Sequence, residues 1–271
     1  MTRASKKSMG TSPGLERALR HLSREKAPRT LLPAVLSRVG LSDRYWRLES
    51  PLGPVYVAHS KAGISMVSRA SSPAAFERRF AERFGRPVSA EKAVPPASVR
   101  ALIRNVKGEG RRSLRFDLRD LSEFERAVLY KALEIPSGEV RPYSWIAREI
   151  GHPDAVRATG SVLAKNPVPL LIPCHRVVRS DGHIGQYSLG GSRAKRRLLE
   201  VEGADPGLLE RLAAEGVRYL GNAEQKHFCF PTCGGIDTLV LTNKVRFSSE
   251  REALAAGYHP CADCRPLPVA A

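Results

Sequence analysis

The chain has 271 residues, of which 42% are hydrophobic, and 44 lysines and arginines against 27 acidic residues give it a formal charge of +17. This excess of positive charge favours a polyanionic partner, and nucleic acid is favoured over an anionic membrane surface. The first twenty residues are basic without an apolar core, which excludes a secretory signal, and no stretch approaches the roughly 20 apolar residues of a membrane span. We therefore expect a cytoplasmic protein, nucleoid-associated if prokaryotic, whose thiols stay reduced.

The first part of the chain predicts a tail followed by a small lobe. Residues 1–42 form a basic N-terminal extension with one short helix in LERALRHL, whose role the sequence does not indicate. Residues 43–118 predict an α/β lobe, since apolar and polar residues alternate around Pro51–Gly53 and Gly63, as in strands joined by turns. The segment AFERRFAERFG then predicts a helix that ends at Gly85. Nothing in this lobe indicates chemistry, so we expect a scaffold.

Residues 119–205 predict a helical domain. Ser122 is placed to cap a helix, with Glu125 three residues later, and YSWIAREIGHP and DAVRATGSVLAKNP predict two more helices. Three short helices joined by tight turns resemble a helix-turn-helix. An apolar segment, a glycine-rich loop and a helix with a basic start, SRAKRRLLEVEG, follow. Residues 206–219 are predicted as a linker or a helical piece, and residues 220–271 as a separate small domain.

The five cysteines divide into one alone and a group of four. Cys229 and Cys233 are separated by three residues, and Cys261 and Cys264 by two, which is the spacing of a tetrahedral zinc site. The histidines at 227 and 259 are weaker alternatives as ligands. Because this domain is small and has few large apolar residues, metal would supply much of its folding energy.

Cys174 stands alone within the apolar segment NPVPLLIPCHRVV. An isolated buried cysteine is usually an inert core residue. Here, however, His175 and Arg176 follow it directly, and a neighbouring base or cation activates a thiol as its thiolate. A base is in turn oriented by a third group, for which Glu202 is the candidate.

This segment closely resembles the active-site signature of the methylated-DNA–protein-cysteine methyltransferases. RPYSWIA, AVRATGSVLAKNP and GQYSLGGSRAKRRLLEVEG occur around it in the family's order, so the resemblance covers about residues 43–205. It implies a ribonuclease H-like N-terminal lobe followed by a winged helix-turn-helix. It also implies repair of alkylated guanine in double-stranded DNA by a monomer, which transfers the alkyl group once and needs no cofactor.

The resemblance also implies roles for individual residues. Cys174 is the acceptor and passes its proton through a water to His175, which Glu202 holds. Tyr143 donates to the leaving guanine, and Asn166 ties the helices to the active-site loop. The base would be flipped out of the duplex for this chemistry.

Two further sets complete the implied site. Arg157 matches the family's arginine finger, which fills the gap left by the flipped base, and small neighbours at Ala155, Ala158, Thr159 and Gly160 let DNA approach this helix through the minor groove. The implied substrate pocket contains Tyr187, Ser188 and Val177. One departure from the family is an extra residue near Leu189, which leaves tolerance for bulky alkyl groups open.

The cysteine-rich segment resembles the metal-binding domain of the adaptive-response (Ada) proteins, where the domain normally lies at the other end of the chain. There the first cysteine, matching Cys229, is both a ligand and an acceptor of methyl groups from phosphotriesters. Here the module is expected to be structural or DNA-binding, with the acceptor role open. Two alternatives to the enzyme are a non-enzymatic protein that binds alkylated DNA and a zinc-dependent regulator that responds to damage.

Overall fold

The computed structural model describes residues 42–91, 114–236 and 244–267, with a few isolated positions before residue 42. The helix predicted in LERALRHL lies outside the described residues. Within them, no helix combines the length and the apolar character that crossing a membrane would demand.

The N-terminal lobe is a four-stranded sheet with one helix. Its elements are β1 (Asp43–Ser50), β2 (Gly53–His59), β3 (Ile64–Ser68), α1 (Pro73–Phe84) and β4 (Val88–Ala90). The strand order is β3-β2-β1-β4, with antiparallel pairs except for parallel β1 and β4. The predicted strands and the helix are confirmed, and α1 ends at Gly85 because its φ of 63° is a left-handed conformation that favours glycine.

The two faces of this sheet are buried in different ways. One face packs against α1, with Tyr45 and Met66 meeting Phe76 and Phe80. The other face joins the main hydrophobic core, which continues into the helical region and the cysteine-rich region. The lobe therefore packs directly against the helical region. In β3, for example, Val67 N–H donates a hydrogen bond to the carbonyl of Pro167 at 2.8 Å.

Three helices pack against one another next along the chain: α2 (Glu123–Leu133), α3 (Tyr143–Glu149) and α4 (Val156–Ala164). The predicted start of α2 is confirmed, since Ser122 and Glu125 form a reciprocal capping box. The short strand β5 (Arg141–Pro142) leads directly into α3.

The segment after α4 is buried from residue 166 to residue 178. It contains a single 3₁₀ turn, Cys174–Arg176, and the strand β6 (Val177–Val178), which pairs with β5 in parallel. Helix α5 (Gly191–Val201) follows and ends at Glu202. The loop before β5 comes close to this end, because a Cβ on Gly138 would lie 2.9 Å from the carbonyl oxygen of Glu202.

The C-terminal region is a second small sheet with one helix. Its elements are β7 (Tyr219–Asn222), β8 (His227–Cys229), β9 (Lys244–Phe247), α7 (Glu250–Ala255) and β10 (His259–Pro260). The segment predicted as a linker contains helix α6 (Pro206–Ala214), whose Leu209 and Leu212 are buried. The division into domains at 42, 118, 205 and 219 stays a prediction, and β7 begins at the last residue of the predicted linker, Tyr219.

We predict that Ser122→Ala lowers the free energy of unfolding by about 1 kcal/mol, because Glu125 N–H loses its cap. Chemical denaturation measures this change, and Ser71→Ala, one residue before the cap of α1, is the matched control. An unchanged stability in the Ser122 variant would contradict the capping role.

Candidate active site and metal centre

Cys174 lies at the first position of the 3₁₀ turn and is 5% exposed. Asn166 Nδ2 donates a hydrogen bond to Cys174 Sγ at 3.2 Å and another to the carbonyl of Ile172 at 3.0 Å. The Asn166 Oδ1 accepts from Val168 N–H at 2.9 Å. Both ends of the amide are thus used, which fixes its orientation and aims a donor at the sulfur.

His175 belongs to a buried ionic network. His175 Nε2 donates to Glu202 at 3.1 Å, and the guanidinium of Arg176 holds the same carboxylate with Nε at 2.8 Å and a terminal nitrogen at 2.5 Å. The other terminal nitrogen of Arg176 donates to the carbonyl of Ile135 at 2.7 Å. The carboxylate therefore orients the imidazole through one ring nitrogen and leaves Nδ1 for other chemistry.

The electrostatics of this network favour an ionised carboxylate. Burial alone would raise the pKa of Glu202, but hydrogen bonds from His175 and Arg176 overcome it and lower the pKa to about 2. Burial lowers the pKa of His175 below its ordinary 6.5, against the opposing effect of Glu202. The imidazole is therefore neutral at pH 7 and able to accept a proton.

The thiol differs from the sequence expectation that neighbouring cations hold it as a thiolate. Burial raises the pKa of Cys174 above 9.0, and it outweighs the hydrogen bond from Asn166 and the charge of Lys195, which act in the other direction. In the free protein the sulfur is accordingly a thiol at pH 7. A charged sulfur is disfavoured here because so little water reaches it.

The sequence did not indicate that Lys195 is buried near the site, nor that Arg176 binds the carboxylate of Glu202. Lys195 is fully buried on the core side of α5, and its ammonium donates to the carbonyl of Val177 at 2.5 Å. Burial lowers the pKa of Lys195 to about 8, with Cys174 opposing that change. The spacing of Ala194, Lys195 and Leu198 on one helical face could have placed this lysine inside, but the run KRR reads as a solvated surface.

Two tyrosines lie near the sulfur. Tyr143, the first residue of α3, has its ring against Gly160, where a Cβ would lie 3.9 Å from two ring carbons. Burial and, second, the nearby Cys174 raise the pKa of Tyr143. Tyr187 is buried and meets His175 edge-on at 5.9 Å between ring centroids, and burial raises its pKa well above 10.0. Both hydroxyls therefore stay protonated at neutral pH.

The other two residues of the predicted pocket lie in different surroundings. Ser188 is exposed in the loop before α5, whereas Val177 is fully buried in the hydrophobic core. Leu189, at the extra residue of that loop, packs partly buried against the same core. The assignment of these residues to a substrate pocket stays a prediction.

The predicted DNA-contacting residues on α4 differ in their exposure. Arg157 and Ala158 are exposed in its first turn, and Ala155 is half-buried just before it. Thr159 is fully buried. Gly160 faces the ring of Tyr143 on the same side of the helix as Arg157, three residues earlier. Contact of this set with DNA stays a prediction.

The four cysteines of the second group meet as predicted. The sulfurs of Cys229, Cys233, Cys261 and Cys264 all lie within 4.8 Å of one another and are buried. Tetrahedral zinc with Zn–S bonds of about 2.3 Å requires sulfur separations of roughly 3.8 Å. Cys233 and Cys261 are 4.0 Å apart, and Gly235 N–H donates to the Cys233 sulfur at 3.3 Å, so the set fits a zinc ion. Neither histidine suggested as a substitute belongs to this cluster.

Comparison with known proteins places this arrangement in a family. The family model for the DNA-binding domain of 6-O-methylguanine DNA methyltransferase matches residues 123–204, and the model for the metal-binding domain of Ada matches residues 210–266. The methylated-DNA–protein-cysteine methyltransferase of Methanosarcina acetivorans is 31% identical over 165 residues, which cover 59% of this chain and 98% of that protein. This chain belongs to the methylated-DNA–protein-cysteine methyltransferase family.

Other members of the methyltransferase family match over shorter lengths. The rat protein of the same name is 46% identical over 100 residues, or 36% of this chain, and the match spans 46% of the rat protein. The chain thus spans about half the length of that relative. Among solved structures, OGT of Mycobacterium tuberculosis in complex with DNA is 30% identical, covers 61% of this chain and 98% of its own, and gives a TM-score of 0.49.

We predict that alkylation of Cys174 by iodoacetamide rises with pH through and beyond 9.0 in the folded protein, because burial raises the thiol pKa. Rates are measured by mass spectrometry of the Cys174 peptide across pH 6–10, with the urea-unfolded chain as the control for an ordinary cysteine. The pH at which the alkylation rate levels off is the decisive quantity, because limited access of iodoacetamide to the buried sulfur lowers the rate at every pH. A plateau reached near neutral pH would show a preformed thiolate instead.

Proposed function

We propose that this chain is a single-turnover DNA-repair transferase, which moves an alkyl group from O6 of guanine in double-stranded DNA to Cys174. The observation that carries the proposal is the buried sulfur, which accepts a hydrogen bond from Asn166 next to an imidazole held by Glu202. Family membership supports the same chemistry. The reaction requires no cofactor, and we expect a cytoplasmic monomer.

The step is a single in-line displacement. The sulfur bonds to the alkyl carbon as that carbon's bond to O6 breaks, and the thiol proton leaves through a water to His175 Nδ1. That nitrogen is buried and has no hydrogen-bond partner among the described residues, while Glu202 stabilises the imidazolium that forms. Tyr143 gives the leaving guanine its proton and recovers one from solvent, and the imidazolium releases its proton to solvent, so the net transfer is from thiol to guanine. The product is a thioether, which is why each molecule acts once.

Keeping both the thiol and the imidazole uncharged until the substrate binds has a chemical use. A permanent thiolate would react with small electrophiles and would be costly to keep in an apolar site. Here the charge forms only when a base occupies the site. Asn166 and Lys195 would then stabilise the sulfur anion, Asn166 by its hydrogen bond and Lys195 by its positive charge.

Duplex DNA is the proposed partner, bound along α4 of a winged helix-turn-helix, with the first lobe as a ribonuclease H-like scaffold. Arg157 is exposed in the first turn of α4, and Gly160, three residues later on the same side of the helix, faces the ring of Tyr143. A side chain that enters the base stack there would lie near the tyrosine proposed to meet the flipped base. The basic composition would supply phosphate affinity without sequence preference.

Zinc is the metal we propose for the four cysteines, and its chemistry there is to bind the thiolates and stabilise the fold. We propose a structural role, with DNA contact as a second possibility to be measured. Cys229, the candidate acceptor for phosphotriester methyl groups, is completely buried. Access of a phosphate methyl group to that sulfur would require the module to open.

The enzyme proposal predicts that one methyl group per molecule moves from duplex DNA containing O6-methylguanine to Cys174, because this thiol has the imidazole of His175 beside it in the chain. Mass spectrometry of peptides after incubation identifies the acceptor. Cys174→Ala should bind the DNA and accept nothing. A parallel incubation with DNA methylated only on phosphates tests Cys229.

Each outcome separates the candidate functions. Damage-specific binding by a wild type that never becomes methylated would identify a non-enzymatic damage-binding protein. Methylation of Cys229 together with a change in DNA affinity would identify a damage-responsive regulator. No transfer of either kind removes the enzyme proposal.

We also predict that Arg157→Ala lowers the transfer rate from duplex DNA about tenfold or more, since a flipped base costs a few kcal/mol and 1.4 kcal/mol is a factor of ten. Transfer from free O6-methylguanine base should change little, because no stack is opened. Single-turnover kinetics on both substrates measure the difference. The control is Arg47→Ala, which removes an exposed arginine from β1. Equal losses on both substrates would contradict a role in base flipping.

A further inference from the structure

We propose that the four-cysteine module is a positioning element for alkyl transfer, which holds helix α3 at both ends and thereby places Tyr143 against the site of Cys174. The inference rests on the proposed function. It concerns two groups not yet used by the chemistry: Thr232 and Arg148.

The first contact holds the chain just before α3. Val140 N–H donates to the hydroxyl of Thr232 at 2.8 Å, and Gly234 N–H donates to the carboxylate of Glu139 at 3.1 Å. Thr232 and Gly234 are the residues on either side of the ligand Cys233. The loop that carries this ligand therefore binds the two residues that lead into β5.

An arginine of β5 strengthens the first contact. Arg141 is 2% exposed, forms an ion pair with Glu139 and lies over the ring of Phe230 at 5.4 Å from its centroid. A buried cation of this kind is costly to leave without its partner. The loop at Cys233 and the start of β5 are thus joined by the two hydrogen bonds and by the buried guanidinium of Arg141, which lies over Phe230.

The second contact holds the last turn of α3. The guanidinium of Arg148 donates to the carbonyl of Arg265 at 2.6 Å and to that of Pro266 at 3.0 Å. These are the two residues after the ligand Cys264. In the other direction, Arg265 pairs with Glu149 at 3.0 Å. A short helix is therefore held at its end by the segment that leaves the metal site.

Both contacts converge on the reactive groups. Strand β5 pairs with β6, where Arg141 lies opposite Val177 and Pro142 opposite Val178, and β6 begins directly after the 3₁₀ turn that carries Cys174. Tyr143 is the residue after Pro142 and begins α3. A shift of β5 would consequently move the tyrosine and the strand next to the acceptor together.

A bound metal would strengthen both contacts, because each contact lies next to one of the cysteine ligands. Cys233 and Cys264 are far apart in sequence but have their sulfurs within 4.8 Å, and a bound ion would fix both loops relative to each other. In a small domain such ligation supplies folding energy directly. Loss of the ion would loosen the segments that hold the two ends of α3.

The first test uses a matched pair of substitutions at Thr232. Thr232→Val removes the acceptor for Val140 N–H, and Thr232→Ser keeps it. At saturating duplex DNA containing O6-methylguanine, we expect the single-turnover rate to fall about three- to tenfold for Val, since small misplacements of reacting groups are expensive. The Ser variant should recover most of the wild-type rate. The dissociation constant for DNA should be the same in all three proteins, because α4 is untouched.

The second test removes the other contact and the metal. Arg148→Gln should give a similar fall in rate, while Arg246→Gln, which breaks an exposed pair with Glu215, should give none. Hydrogen exchange of the full chain, with and without treatment by a zinc chelator, provides a readout independent of activity. Residues 139–149 should exchange about tenfold faster without metal, while β1 to β3 stay protected.

The results distinguish the inference from the proposed function. Unchanged rates in Thr232→Val and Arg148→Gln, or unchanged exchange in residues 139–149 after metal removal, overturn the positioning role even if the wild type transfers alkyl groups normally. Equal losses in the Val and Ser variants also overturn it, because the hydroxyl would then be irrelevant. If the loaded wild type transfers nothing, the proposed function fails, and the exchange data still show whether the module holds α3.

Discussion

The site depends on one buried carboxylate. Glu202 is ionised inside the protein because His175 and Arg176 donate to it, and Arg176 also donates to the carbonyl of Ile135 at the end of α2. The end of α5, the 3₁₀ turn and the end of α2 are therefore fixed to a single charge. Removing Arg176 would leave the carboxylate without compensation in a region that excludes water, which is far more costly than losing a surface ion pair.

This constraint explains why the thiol and the imidazole are both neutral at rest. The negative charge that Glu202 contributes is already balanced by Arg176, so a thiolate and an imidazolium would add two more charges to an apolar site. Burial favours the neutral form of both groups, because it raises the pKa of Cys174 and lowers that of His175. The free protein thereby holds the thiol and the imidazole on adjacent residues without forming the thiolate–imidazolium ion pair. Lys195 lies close enough to favour the sulfur anion when it forms.

The sequence predicts the parts of this site that are local and misses those that are not. Cys174 and His175 are adjacent, and the paired cysteines have the spacing of a metal site, so a short motif suffices for each. Glu202 was a candidate for the group that orients the base, but nothing in EVEG itself indicates that its charge is buried. Lys195 was missed since a lysine within a basic run looks like surface, and only packing shows which side of the helix it occupies.

The association of the metal module with the catalytic region lay beyond the sequence for a different reason. Its contacts use backbone groups at 140, 234, 265 and 266 together with ordinary side chains, and such partners carry no signature of residue type. What the sequence did indicate, a small unit after a linker, suggests independence. Instead, α6 is packed into the protein, and one hydrophobic core includes Leu220 and Phe228 of the module with Ile146 and Leu163 of the helices. With the module attached after Glu202, the chain returns to cover α3, and the metal ligands come to border the helix that presents Tyr143.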